Sequence, residues 1–254
     1  MGLTSNERMY VAAHRGDSYN YFENTSTAFK KAIESGADMI ETDVHLTKDN
    51  ELVLIHDDTV NRTSNDKGRV DEFTFEKIRE LNVGNVHSYE QIPTLEELIK
   101  LVYETNVTLN IEIKEYYSEK NEHRAALCIE KVIELVEKYG MTQRVVINSF
   151  DAWVLEYVYK KYGKKYMLHG FYPYWEMSNV TIPPEDYLYC ACIFDIGNKS
   201  HFDYLTERNI EPWIGASVTQ EAKLRQCLEY GARLVTTNNP KDTKEKLNRI
   251  KGEN

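Results

Sequence analysis

The chain has 254 residues with a formal net charge of −10, and 41% of them are hydrophobic and 28% charged. That length suits one α/β barrel of about 250 residues or two small domains. The acidic balance argues against a nucleic-acid or anionic-membrane binder, which would carry a basic face. A small anionic substrate stays open, because a local metal or arginine cluster can override the global field. No run approaches the roughly 20 apolar residues of a membrane span, so no integral membrane segment is expected. The N-terminus, MGLTSNERMYVAAHRG, lacks the basic region and apolar core of a secretory signal. Cys128, Cys190, Cys192 and Cys227 contain no CxxC pair; reduced thiols in a cytoplasmic protein is the simplest reading, which a secreted chain trimmed of its signal would share.

In chain order, the strand candidates are YVAAH (10–14), MIETDV (39–44), LNIEIK (109–114), RVVINSF (144–150), YMLHGF (166–171), CACIF (190–194), PWIGASV (212–218) and RLVTT (233–237). Amphipathic helices fall between most of them. TSTAFKKAIESG closes on Gly36 and PTLEELIKLVYET opens on Pro93 and Thr94. HRAALCIEKVIELVEKYG has apolar residues at three- and four-residue spacing and stops at Gly140. Eight strands with interleaved helices predict a (β/α)8 barrel, a TIM barrel, with a doubly wound open sheet as runner-up because alternation alone does not show closure. Residues 45–92 are too long for one strand-to-helix loop. They contain ELVLIHD, a turn-rich NDKG and a helical TFEKIRELN, and read as a small subdomain inserted after the second strand. Nothing divides residues 1–254 into separate domains, and monomer and homo-oligomer are both open.

Alternate residues of a strand share a face. In MIETDV this sets Ile40, Thr42 and Val44 against Glu41 and Asp43; in LNIEIK it sets Ile111 and Ile113 against Glu112 and Lys114. With the apolar side toward the helices, three carboxylates and a lysine point into the barrel near the strand ends where barrel enzymes carry their sites. Carboxylates converging in a low-dielectric space raise one another's pKa. A divalent cation removes that penalty, and an all-oxygen set favours Mg²⁺, Mn²⁺ or Ca²⁺ over zinc; a structural network with Lys114 or Arg15 is the alternative. His14 and Arg15 end the first strand, where the guanidinium fork suits phosphate oxygens. His56 closes LVLIH, so two histidines could serve as general acid and base. His45, His87, His123, His169 and His201 have no comparable context. ENTSTAF (23–29) is chiefly a helix start capped by Asn24, Thr25 or Ser26, although Glu23 could line the site. FYPYWEMSNV (171–180) is either core packing or an aromatic rim, and Trp213, opening the seventh strand, is expected over the barrel mouth as a substrate-binding residue.

Taken in order, HRG, ENTSTAF, GADMIETDVHLTKDNELVLIHDDTVNRTS, IPTLEELI, LNIEIK and NSF resemble the glycerophosphodiester phosphodiesterase family, densely over residues 11–150 and thinly afterwards. The resemblance implies a phospholipase C-like phosphodiesterase barrel with a small insertion. It also implies hydrolysis of a small-molecule glycerophosphodiester to glycerol 3-phosphate and an alcohol, hence a place in lipid and glycerol metabolism. By the same resemblance Glu41, Asp43 and Glu112 fall on metal ligands for Mg²⁺ or Ca²⁺, His14 and His56 on the acid and base, and Arg15 and Lys114 on phosphate-holding positions. Two departures stand at the mouth: Asn238, where the family more typically has aspartate, and WIGASV in the seventh strand. Two other readings are a lysophospholipase D-like hydrolase of lipid diesters and a barrel that binds a phosphodiester without turning it over.

Overall fold

A computed structural model describes residues 8–252. Among these, nine strands form one sheet: β1 (Tyr10–His14), β2 (Met39–Leu46), β3 (Leu52–Leu54), β4 (Thr108–Ile113), β5 (Val145–Asn148), β6 (Met167–Tyr172), β7 (Cys190–Ile193), β8 (Glu211–Ile214) and β9 (Leu234–Thr237). Eight are parallel, running β1-β9-β8-β7-β6-β5-β4-β2, and the β1–β2 pairing closes the ring. The fold is therefore a closed TIM barrel, and the open doubly wound sheet is excluded. The helices are α1 (Ser26–Glu34), α2 (Phe75–Ile78), α3 (Leu95–Tyr103), α4 (Glu122–Lys138), α5 (Ala152–Tyr162), α6 (Lys199–Glu207), α7 (Glu221–Glu229) and α8 (Pro240–Gly252). No helix among the described residues is long and apolar enough to cross a membrane.

The helix starts follow local chemistry. Thr25 caps α1 by accepting a hydrogen bond from the Ala28 amide. Thr94 and Glu97 form a reciprocal capping box at α3, satisfying two backbone donors that would otherwise lack partners. On α4, Ala125, Cys128, Ile129, Val132, Ile133 and Val136 make one buried stripe at helical spacing. These faces pack on the outward residues of the strands, among them Ile40, Val44, Leu109, Ile111 and Ile147, in one core.

The opposite strand faces fill the interior. Its floor is apolar: Ala12, Met39, Val146, Cys190, Trp213 and Leu234 pack together. Above lies a polar pair, with the Asn110 side-chain amide 3.1 Å from His169 Nδ1. Complete burial drives the His169 pKa down to about 3, so the ring stays neutral. Trp213 is not at the mouth, contrary to its sequence-based placement. Its ring is fully buried in the floor, beside His169 at 4.9 Å between centroids, and its Nε1–H donates to Glu211. The barrel interior needs bulky side chains in layers, and the tryptophan supplies one.

The segment after β2 is built as an insertion. β3 pairs antiparallel with the end of β2, and Val53, Ile55, Val60, Val70, Ile78, Leu81, Val83 and Ile92 form a separate small core. At the end of β1 the chain turns through Arg15 (φ 56°) and Gly16 (φ 81°). A Cβ on Gly16 would lie 2.6 Å from the Ala28 carbonyl carbon, so only glycine lets this turn sit against α1.

Because Trp213 is a floor residue, Trp213→Ala should reduce unfolding free energy by about 3–5 kcal/mol, the usual range for deleting a large buried aromatic. Denaturant unfolding measures this; a loss below about 1 kcal/mol would show that the ring is not a core element.

Candidate active site

The strand registers set the site. His14 lies beside Glu41 and Asp43 beside Glu112, so the C-terminal ends of β1, β2 and β4 bring their inward side chains together. Glu41, Asp43 and Glu112 are all buried, and each offers a carboxylate oxygen within 4.8 Å of the others. The expectation that these acids share one face and one end of the barrel is met.

Two cations meet the three acids. Lys114 Nζ lies 3.1 Å from Asp43 Oδ1 and also pairs with Glu112. Arg15 Nε is 3.2 Å from Asp43 Oδ2, and the Asn24 amide donates to the same oxygen at 3.0 Å. Glu41 has no such cation in contact; its carboxylate accepts the Arg15 backbone N–H at 3.1 Å and faces His14 Nε2 at 3.9 Å. The pKa directions follow. Burial, then the charges of Asp43 and Glu112, push Glu41 well above the usual carboxylate range. Burial also raises Glu112, against the pull of Lys114. For Asp43 burial opposes ionisation, but Lys114 and Arg15 together outweigh it and hold the group low. Lys114 is in turn held protonated: burial opposes its charge, and Asp43 and Glu112 overcome it.

The structural network foreseen as an alternative therefore exists, but it is incomplete. With all three ionised, three carboxylates against two cations leave one negative charge uncompensated, and the raised Glu41 pKa is its expression. Asp43 Oδ1 is also buried without a well-formed hydrogen bond. Three convergent carboxylate oxygens are donors suited to a hard divalent ion, so the residues fit the metal implied by the resemblance.

Both proposed histidines sit at this rim. His14 Nδ1 is 2.6 Å from Asn238 Oδ1, an arrangement in which the ring N–H donates and Nε2 is bare. Burial, then Arg15, lower the His14 pKa. His56 Nδ1 is 2.7 Å from Asp57 Oδ1. Arg62, more than burial can oppose, holds Asp57 far below the usual carboxylate range, with His56 adding to the effect. Ile55, one residue before His56, donates its backbone N–H to the Asp43 carbonyl at 3.1 Å, which ties the insertion to the strand bearing Glu41 and Asp43.

Several supporting residues escaped the sequence reading. Asn24 is not a helix cap: it is buried, donates to Asp43 and accepts from the Thr42 hydroxyl at 2.8 Å. His45 lies with Nδ1 3.5 Å from Glu115 and Nε2 3.3 Å from the His56 carbonyl. Glu115 accepts the Leu46 amide and pairs with Arg124, bracing the end of β2. Burial works against Glu115, but His45 and Arg124 hold its pKa at about 2. Only long-range packing brings these groups to the site, so no local pattern marks them. In FYPYWEMSNV, Phe171 and Met177 are buried, while Trp175 is 81% exposed. Phe150 and Phe171 stack with centroids 3.5 Å apart, and Phe194 packs against both. An aromatic wall thus exists, drawn from three strand ends rather than from one stretch.

The fold and rim define a TIM barrel with a buried, cation-ringed carboxylate triad at its C-terminal mouth. The chain belongs to the glycerophosphoryl diester phosphodiesterase family, whose model matches residues 14–190. It is 43% identical over 159 residues to a glycerophosphodiester phosphodiesterase of Caldanaerobacter subterraneus subsp. tengcongensis, covering 59% of this chain and 61% of the relative. It is 37% identical over 179 residues to one of Bacillus altitudinis, covering 68% and 66%. The matches span less than two thirds of either relative. A phosphodiesterase of Oleispira antarctica, solved in complex with the product sn-glycerol-3-phosphate, superposes with TM-score 0.77 at 20% identity, covering 94% of this chain and 96% of its own. A glycerophosphodiester phosphodiesterase of Agrobacterium tumefaciens gives 0.75 at 20% identity, covering 92% and 98%. These superpositions show the shared fold.

The depressed Glu115 pKa has a consequence for acid stability. A carboxylate lowered from 4.5 to about 2 contributes stability that is fully present above its unfolded value and fades as pH falls toward the folded one. Glu115→Gln should therefore be less stable than the parent at neutral pH, with the gap closing between about pH 4.5 and 2. Urea midpoints across that window test this, and a constant offset would contradict it.

Proposed function

We propose that the chain hydrolyses glycerophosphodiesters to glycerol 3-phosphate and an alcohol, in a single barrel domain carrying the insertion. The observation that carries this reading is the uncompensated carboxylate triad flanked by two arginine- and lysine-type anion binders and two histidines. The relatives named for this activity, and the product bound in the Oleispira barrel, support the same substrate class.

In this reading Glu41, Asp43 and Glu112 hold a divalent ion, Mg²⁺ or Ca²⁺, which supplies Lewis-acid stabilisation of charge on the phosphoryl oxygens. With that ion the cluster changes from one excess negative charge to one excess positive charge, the complement of a phosphodiester monoanion. Arg15, whose Nε and Nη1 are engaged by Asp43 and Glu23, presents its remaining Nη2 to the phosphate, and Lys114 adds a second positive group. His14 and His56 move the protons. Nδ1 of each ring is occupied, by Asn238 and Asp57, so Nε2 is the atom left for chemistry. One histidine accepts the proton of the attacking glycerol hydroxyl or water and the other donates to the leaving alkoxide. Asn238 provides an amide oxygen without a formal charge, so it orients His14 and favours its protonated form less than a carboxylate would.

A lipid substrate is the second reading, favoured by the Phe150–Phe171–Phe194 wall and by exposed Trp175 at the same mouth. It predicts faster turnover of lysophosphatidylcholine than of glycerophosphocholine, and Trp175→Ala should reduce the former alone.

Glu41→Ala and Glu112→Ala should each lower kcat/KM on glycerophosphocholine by roughly 100-fold or more, because several kcal/mol of transition-state stabilisation depend on the ligands. Each removes a buried carboxylate from a cluster with excess negative charge, so thermal stability should hold or rise. Full activity in both variants would refute the ligand assignment.

A further inference from the structure

Arg62 belongs to the insertion, touches none of the three buried acids, and makes four hydrogen bonds to two carboxylates, one in the insertion and one in a loop of the barrel. Its Nε and Nη2 donate to Asp57 Oδ2 and Oδ1 at 2.7 and 3.0 Å. Its Nη1 and Nη2 donate to Glu23 Oε2 and Oε1 at 2.9 and 2.8 Å. Glu23 sits in the β1–α1 loop of the barrel and also accepts from Arg15 Nη1 at 3.0 Å. Asp57 accepts from His56 Nδ1 at 2.7 Å. The result is an unbroken run of ion pairs and hydrogen bonds, Asp43–Arg15–Glu23–Arg62–Asp57–His56, joining the carboxylate cluster in the barrel to the histidine of the insertion.

We propose that Arg62 is a positioning residue: by bridging Asp57 to Glu23, it locks the His56 ring in one orientation and one tautomer over the site. The inference rests on the proposed function for the role of His56 and extends it to Arg62, a residue that pairs with none of the three buried acids. Three observations support it. His56 and Asp57 follow β3 after Ile55, and the next element of the insertion, the 3-10 turn Val70–Glu72, begins only after a run of turns and bends with one isolated bridge, Thr59 to Arg69. The Asp57 side chain thus has no regular strand to fix it. Second, the contacts are bidentate on both sides, a geometry a planar guanidinium can make and an ammonium cannot. Third, Glu23 is itself fixed by Arg15, so the clamp is referenced to the phosphate-facing end of β1 and not to a mobile surface group. A lone exposed ion pair adds little stability and nothing specific to the ring; a fork on two anchored carboxylates also sets direction.

The test compares the 254-residue parent chain with Arg62→Met, Arg62→Lys and Glu23→Gln. Long-range ¹H–¹⁵N spectra of the histidine rings are recorded without metal or substrate at about pH 8, above the ordinary histidine pKa. His56→Gln identifies the His56 signals. The parent should show His56 as one neutral tautomer with the proton on Nδ1. Arg62→Met should move it toward the mixture of a free imidazole, and Arg62→Lys and Glu23→Gln should fall between. On glycerophosphocholine, Arg62→Met should lose roughly 10- to 100-fold in kcat, with KM within about twofold. A parent-like ring spectrum in Arg62→Met, or a changed spectrum with unchanged kcat, overturns the proposal. If Arg62→Met does not fold, Arg62→Lys decides by the same criteria, because it keeps the charge and removes the fork. A parent that hydrolyses no glycerophosphodiester would refute the proposed function, while the ring spectra would still decide the positioning claim.

Discussion

Three carboxylates buried at the mouth of the barrel with two cations to balance them is the constraint from which the rest of the site follows. Ion pairs cover Asp43 twice and Glu112 once, and leave Glu41 with backbone and imidazole neighbours. Burying a third acid is unfavourable unless something supplies positive charge. The fold tolerates the arrangement because the stability comes from elsewhere: the apolar floor around Trp213 and the shell of helices on the outward strand faces. The electrostatic cost is concentrated at the C-terminal ends of β1, β2 and β4, away from the apolar floor.

The loops carry the matching contributions. The left-handed turn at Arg15 and Gly16 directs a guanidinium toward Asp43 while its own amide reaches Glu41. The insertion brings His56 to the same point by adding β3 to the edge of β2, so one strand supplies two acids and also holds the element bearing the histidine. Asn24, Glu23 and Arg62 tie these pieces together by hydrogen bonds rather than by apolar contact. Such polar joints specify orientation more than they add stability.

Much of this was legible in the residue pattern, for definable reasons. Parity along MIETDV and LNIEIK predicts the inward acids because a strand has a period of two and one face must meet the helices. Helix starts at Thr25 and Thr94 are local chemistry and are where the sequence places them. Trp213 was misplaced because a strand's period says which face a residue is on, not how deep along the barrel axis it sits; depth is set by strand stagger. Asn24 was one of three cap candidates, of which Thr25 is the cap, and its contact with Asp43 spans a loop whose path no short motif encodes. His45 and Glu115 lie 70 residues apart in sequence and meet only because β2 and β4 are neighbours. The aromatic wall escaped for the same reason, being assembled from positions 150, 171 and 194.

The central claim is that the carboxylate triad works as a divalent-ion site for phosphodiester hydrolysis. The most direct measurement is release of glycerol 3-phosphate from glycerophosphocholine and glycerophosphoethanolamine by the chain treated with EDTA, before and after Mg²⁺ or Ca²⁺ is returned. The account predicts that release stops on chelation and resumes with one of the two ions. Release unaffected by EDTA, or no release from either diester with any added divalent ion, would contradict it.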